Sequence, residues 1–350
     1  MQQPTYDEQI TMKNEMKLRE LCAGLPAFCK EFFRGIEPTT SSRTRIAYAY
    51  DLKIFFHFLQ EKYPDIEESD FKNWPVTVLD KVTLTQLEEY LDYLRLYEDA
   101  ENKVHTNEER GRMRKTASIR TFYKFFYRKQ VIKNNTASLL NLPKKHEHAI
   151  VRLEIDEIAK LLDAVEEGDN LTKSQKKYHN KTKIRDLAIL TLLLGTGIRV
   201  SECVGIDISN LDFETNGMKI HRKGGADVIL YFGEEVREAL LDYLEEREKI
   251  IPKEGSENAL FLSMQKRRIS VRAVENLVKK YARPVTPLKT ITPHKLRSTY
   301  GTQLYQETGD IYLVADVLGH KDVNTTRKHY AAMEDQRRRM AAGKIQLREK

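Results

Sequence analysis

The sequence predicts a mainly α-helical protein of two domains, with one small β-sheet in the second. Three observations predict it. Apolar residues recur four apart through Ile46, Tyr50, Ile54 and Phe58, widened by Leu52, Phe55 and Leu59, and no alternating strand pattern precedes residue 140. A polar, proline-bearing stretch without periodicity, residues 141–148, then separates this part from the rest. Beyond it, two β-type runs at residues 218–222 and 228–232 flank Lys223-Gly224-Gly225-Ala226-Asp227, a hairpin signal. A chain of 350 residues is also longer than a single core of usual size.

Residues 1–25 are polar and read as a loosely held helix or arm. Residues 26–140 read as a four- or five-helix bundle. Ser41-Ser42-Arg43 opens its long helix and Pro64 stops it. Thr85 and Glu88 fit a capping box ahead of Leu87, Leu91 and Leu94. The next helix turns Ile119, Phe122, Tyr123 and Phe126 inward. Residues 141–150 form the linker and residues 151–332 the second domain. That domain opens with a helix over 154–165, followed by a polar surface loop at 169–183 and an apolar helix at 184–194 closed by Gly195-Thr196-Gly197. Helices resume at Glu234, and residues 284–287 read as a loop. Asp310 caps a short helix that ends near Leu318, with Gly319 just past its end. Residues 333–350 form a detached, charged helical tail with Met333, Met340 and Ile345 as packing points.

Hydrophobic residues make up 40% of the chain and charged residues 32%, which suits a globular protein, and no apolar run approaches the ~18 residues that would span a bilayer. Nothing resembles a signal peptide. Cys22, Cys29 and Cys203 lack metal-ligand spacing, so a reduced, cytoplasmic protein is expected. The net charge is +7, a weak pointer to a polyanion by itself. Its distribution says more. Nine basic residues stand against two acidic ones between Asn107 and Lys133. That one-sidedness favours a phosphate-contacting surface, for which Arg112, Arg114, Lys115, Arg120 and Lys124, with Ser41, Arg43 and Arg45 at the start of the long helix, are the candidates.

Chemistry concentrates in six scattered residues: Arg199, Lys223, His294, Arg297, His320 and Tyr330. Thr292 and Pro293 place His294 in a first helical turn, whose free N–H groups favour an anion, with Arg297 on the same face. Arg199 follows a glycine turn, and Glu202 three residues on is placed to orient it. Both arginines suit bidentate contact with phosphate oxygens. Lys223, at the hairpin end, is placed to protonate a leaving oxygen, with Lys219, His221 and Arg222 as rivals. His320 follows Gly319 at a helix end. Tyr330 is a phenol that needs cations and a base nearby to attack. Taken singly, Arg199 reads as a surface arginine paired with glutamate, and the His294–Arg297 turn as a solvated basic helix start. Chain order does not single out Tyr330 among 17 tyrosines, though Tyr300, Tyr305 and Tyr312 read mostly as core. No His-Glu-x-x-His, acidic cluster or phosphate-binding glycine loop is found, so no metal or cofactor is expected, and a phosphoryl transfer here would rely on protein cations.

In Gly195-Thr196-Gly197-Ile198-Arg199-Val200-Ser201-Glu202, in His294-Lys295-Leu296-Arg297-Ser298-Thr299, and in the run from Leu318-Gly319-His320 to Tyr330, the chain resembles the tyrosine recombinase (phage integrase) family. The resemblance covers nearly the whole chain. It implies a helical core-binding domain followed by a mixed α/β catalytic domain. It implies that Arg199, His294, Arg297 and His320 hold the scissile phosphate, that Lys223 is the general acid, and that Tyr330 forms a 3′-phosphotyrosyl link. It further implies double-stranded DNA with inverted-repeat sites as partner, a Holliday junction, a homo-tetramer on two sites (monomer or dimer otherwise), a tail that docks on a neighbouring subunit, and no membrane. No obvious separate arm-binding domain is read before residue 26, so a simple recombinase is expected rather than a heterobivalent integrase. Mobile-element integration or excision and chromosome-dimer resolution both fit. The rival readings are a type IB topoisomerase, which has no use for a tetramerising tail, and a non-catalytic DNA-binding regulator, for which six reactive residues are superfluous.

Overall fold

The computed structural model describes residues 5–99, 102–141, 151–222, 226–320 and Val323. Lys223, Tyr330, the linker after Asn141 and the tail lie outside the described residues. The chain divides into two compact units, Met1–Glu147 and His148–Lys350.

The first unit is helical: α1 Tyr6–Ala23, α2 Cys29–Ile36, α3 Ser42–Lys62, the single turn α4 Val78–Lys81, α5 Leu84–Tyr93 and α6 Glu109–Arg128. Of the four-apart stripe of α3, Phe58 is buried, Ile46 and Ile54 are half-buried and Tyr50 is exposed, so the core face is set instead by Leu52, Phe55, Phe56 and Leu59, all fully enclosed. Ser41 caps its start by accepting from the Thr44 backbone N–H at 3.2 Å. On α6, Ile119, Phe122, Tyr123 and Phe126 all face the core. Phe122 sits at its centre, edge-on to Phe32 at 4.9 Å and to Phe56 at 6.1 Å, the favoured geometry for aromatic quadrupoles.

Three expectations are corrected in this unit. The loosely held helix or arm expected at 1–25 is, over its described part, a packed helix: α1 lies along α3, with Leu18, Cys22 and Leu25 in the core and Asn14 bonded to Ser42 at 3.0 Å. The capping box of α5 belongs to Thr83 and Gln86 rather than Thr85 and Glu88. An antiparallel hairpin, β1 Leu96–Glu98 with β2 Val104–Thr106, interrupts the helices. Its strands of three residues are too short for alternation to show. Asp99 closes it by accepting from the Lys103 backbone N–H at 3.1 Å and pairing with His105 at 2.6 Å.

The second unit comprises α7 Ile155–Glu167, α8 Lys173–Thr196, α9 Val200–Gly205, a sheet of β3 Leu211–Asp212, β4 Gly217–His221 and β5 Asp227–Tyr231, then α10 Glu234–Glu248, α11 Val271–Val285, α12 Pro293–Thr308 and α13 Ile311–Leu318. Helix α8 runs through the middle, and α7, α10 and α12 pack on it. The stretch expected as a loop at 169–183 is mostly the first half of α8. Thr172 and Gln175 form its capping box, and its polar face stands outside the apolar half, where Ala188 to Leu194 are buried. The strand order is β3-β4-β5, all antiparallel, with Met218 opposite Leu230 and Ile220 opposite Val228. Met218, Ile220 and Leu230 face the core, while Lys219, His221, Ile229 and Tyr231 face outward. The loop expected at 284–287 starts later, because Pro284 is accommodated in the last turn of α11 and the chain leaves the helix at Thr286.

Candidate active site

Helix α8 ends in Gly197, whose φ of +62° is the left-handed conformation that lets the helix stop and the chain turn. A β-carbon at this glycine would come within 2.4 Å of Cδ1 of Tyr300 and 3.0 Å of Cδ2 of Leu318, so α12 and α13 approach the turn as closely as backbone permits. Arg199 follows as the residue before α9. Glu202 takes its backbone N–H at 2.8 Å and its guanidinium Nη1 at 2.7 Å. The Glu202 side chain is 4% exposed and that of Arg199 32%. The carboxylate is thus an internal anchor and the arginine is the part that reaches solvent.

On α12, Pro293 occupies the first helical position, as expected. Thr292 precedes it without a side-chain capping bond, and its carbonyl instead accepts from Lys295 and Leu296. His294 is exposed in the first turn. Arg297, one turn on, is 5% exposed. Its Nη1 donates to the Gly197 carbonyl at 2.6 Å, and its Nη2 to the Leu318 carbonyl.

Helix α13 begins at Asp310, whose carboxylate accepts the N–H groups of Tyr312 and Leu313, and ends at Gly319 with φ +61°. Its final carbonyls meet three arginines. Arg222 donates to Asp316 at 3.0 Å and to Val317 at 2.6 Å, Arg297 to Leu318, and Arg199 to Gly319 at 3.2 Å. The Asp316 carbonyl also accepts the Gly319 N–H at 2.8 Å, whereas a helix leaves its last carbonyls short of internal partners, and the negative end of its dipole attracts cations. His320 follows at once, its backbone N–H bonded to the Ala315 carbonyl at 2.9 Å.

The structure therefore brings Arg199 and Arg297 to the segment that carries His320, with His294 one turn before Arg297. Lys223 and Tyr330 lie outside the described residues. Arg222 was missed as anything but a rival to Lys223. Its partners are backbone carbonyls 94 and 95 residues away, which carry no residue signature. Among the described residues, no group of three or more His, Cys, Asp or Glu could hold a metal ion, and no helix is long and apolar enough to cross a membrane.

The basic candidates of the first unit divide. Arg43 and Lys124 are exposed, Ser41 is an exposed cap, and Arg112 and Arg120 are half-buried. The others have internal partners. Arg45 is buried between Glu15 at 2.6 Å and Glu37 at 3.2 Å. Arg114 forks onto the fully buried Asp51, with its Nη2 at 2.7 Å, and Lys115 lies 3.6 Å from the same carboxylate. For these three the carboxylate partners come from elsewhere in the fold, and Arg114 still keeps 46% of its side chain exposed.

The model of the phage integrase family matches residues 151–337. The chain belongs to this family of tyrosine recombinases. Over 318 residues it is 34% identical to tyrosine recombinase XerC of Caldanaerobacter subterraneus subsp. tengcongensis, covering 88% of this chain and 82% of that one. It is 30% identical over 300 residues to XerC of Leptospira interrogans (86% of each chain), and 28% identical over 296 residues to XerD of Oceanobacillus iheyensis (84% and 89%). The integrase fold is seen again in solved structures. XerH bound to a palindromic difH substrate in a post-cleavage complex superposes with TM-score 0.63 at 17% identity, over 98% of each chain. A lambda integrase dimer bound to a COC' core site gives 0.60 at 16%, over 87% of this chain and 94% of that one.

Proposed function

We propose that this integrase-family protein is a site-specific DNA recombinase that cleaves and rejoins DNA through a 3′-phosphotyrosyl intermediate. The observation that carries the reading is the gathering of Arg199 and Arg297 on the backbone that leads into His320. Two forked cations on one rigid segment suit the non-bridging oxygens of one phosphate, whose charge grows as the phosphorus becomes pentavalent. In the proposed step the Tyr330 oxygen forms a bond to phosphorus and the bond to the 5′ oxygen breaks. The phenolic proton leaves with help from His294 or His320, and Lys223 supplies a proton to the departing 5′ oxygen. Attack by a 5′ hydroxyl from a partner duplex reverses the step, so the bond energy is conserved through a Holliday junction.

Double-stranded DNA with inverted-repeat sites is the proposed partner. A tetramer on two sites, held by the tail after Tyr330, is the proposed assembly, and the cytoplasm the proposed location. Likeness to XerC and XerD across most of the chain favours chromosome-dimer resolution over mobile-element integration. The test is a nicked recombination site incubated with the protein and resolved by denaturing electrophoresis. A covalent adduct is expected with wild type and none with Tyr330→Phe. An undiminished adduct in the variant would sink the mechanism, and relaxation of plasmids lacking any site would favour a topoisomerase.

A further inference from the structure

We infer that Arg222 is a positioning residue of the phosphate site, a forked tie that fixes the end of α13, and with it His320 and the seats of Arg199 and Arg297, against the hairpin. The inference rests on the function proposed above.

Arg222 stands where β4 ends. Its backbone N–H donates to the Ala226 carbonyl at 2.9 Å, so the start of its side chain is set by the hairpin. The side chain then leaves the sheet and spreads over two successive carbonyls of α13, Asp316 at 3.0 Å and Val317 at 2.6 Å. It lies directly on Gly319. A β-carbon there would be 2.3 Å from Nη1 and 2.6 Å from Cζ, so the left-handed glycine both ends the helix and makes room for the guanidinium. Burial lowers the Arg222 pKa below the usual arginine value. Glu202 opposes that shift and Arg199 adds to it, which places all three within electrostatic reach.

Burying a guanidinium is costly, and a solubilising arginine at a hairpin mouth would point to water. This one points inward and completes a series. Asp316 and Val317 are held by Arg222, Leu318 by Arg297 and Gly319 by Arg199. Without Arg222 the last turn of α13 loses its tie to the sheet. A lysine keeps the charge but has no planar fork to span two carbonyls.

The experiment uses the full chain with Arg222→Lys and Arg222→Gln. Both variants are expected to bind the recombination site within about twofold of wild type, yet to form the adduct about 10²-fold more slowly, the scale of a misplaced catalytic group. The defect should persist when the scissile 5′ oxygen is replaced by sulfur, a leaving group that needs no proton. A wild-type rate for Arg222→Lys would overturn the inference, because charge alone would then suffice. Relief by the sulfur substrate would also overturn it, because Arg222 would then act through protonation of the leaving group. So would a loss of site binding equal to the loss of rate, the mark of general unfolding. Hydrogen exchange separates this inference from the proposed function, since it needs no DNA. The amides of Gly319 and His320 should exchange at least about tenfold faster in Arg222→Gln, and unchanged exchange would refute the tie even if no adduct ever formed.

Discussion

Glu202 holds Arg199 twice, by its backbone N–H at 2.8 Å and by its guanidinium at 2.7 Å. One buried carboxylate thus sets both the start of α9 and the aim of the arginine. In Glu202→Gln the amide oxygen can still cap the backbone, but the guanidinium loses its charged partner. Site binding should change little and adduct formation should fall by about tenfold or more. Single-turnover cleavage measured alongside equilibrium binding would show it. Equal losses in both would mean that the pair only supports the fold.

Gly197→Ala tests the turn itself. The new methyl group would be forced into the left-handed region and into the Tyr300 ring, 2.4 Å from Cδ1. Backbone strain of about 1–2 kcal/mol and overpacking of about 1–3 kcal/mol should add. Gly255→Ala is the control: its φ is also positive, at +78°, but nothing lies within 4 Å. It should cost only the backbone share, about 1–2 kcal/mol. Urea unfolding of the two variants compares them, and equal costs would count against the close approach at Gly197.

His179 should make stability fall with acid before the carboxylates titrate. Burial holds its pKa below 6.5, and Lys280 adds to the effect. The ring bonds Tyr281, which shares Asp186 with Lys280, and Arg185 pairs with that same carboxylate. A base with a depressed folded pKa stays neutral in the fold while the unfolded chain takes up a proton. Stability is therefore full above about 6.5 and declines below it. His179→Gln should flatten that decline between about pH 7.5 and about pH 5.5, read by denaturant unfolding under circular dichroism. An identical slope in the variant would assign the effect elsewhere, for instance to His57, also lowered by burial.

Two kinds of basic residue in the first unit should separate cleanly. Arg43→Ala and Lys124→Ala, at exposed positions, should each reduce the salt dependence of DNA binding by about one unit of slope and leave stability alone. Asp51→Ala removes a carboxylate with 0% exposure that Arg114 and Lys115 share. It should cost about 3 kcal/mol or more, because Lys115 is left buried without it. Trp74, the only tryptophan, is buried in this unit and reports its unfolding by fluorescence.

Those contrasts also mark what could be read from the chain. The face of α6 was legible because its apolar residues keep helical spacing over several turns, and that of α3 only in part, since Leu52, Phe55 and Leu59 are buried but Tyr50 of the four-apart stripe is exposed. The ends of α13 were legible because Asp310 and Gly319 have distinct capping chemistry. Arg199 with Glu202 was legible as a pair three residues apart after a glycine turn. The first half of α8 was not, since a polar helix and a polar loop have similar composition. Nor were the roles of Arg45 and Arg114, because Glu15 and Asp51 are 30 and 63 residues away and only the fold makes them neighbours. Arg222 was hidden for a related reason: backbone acceptors have no letter in the sequence.

The end of α13 has a consequence for how the site waits for its substrate. Clustered cations repel one another, and the usual remedy is a set of carboxylates, which an incoming phosphate would have to displace. Here one glutamate and five carbonyl oxygens hold three guanidiniums in order. A carbonyl carries no net charge, and a helix terminus offers only about half a negative charge. Orientation is thus supplied without neutralisation. Against the three guanidiniums stand only the Glu202 and Asp316 carboxylates among these groups, and the positive excess is of the sign that the proposed phosphodiester would meet.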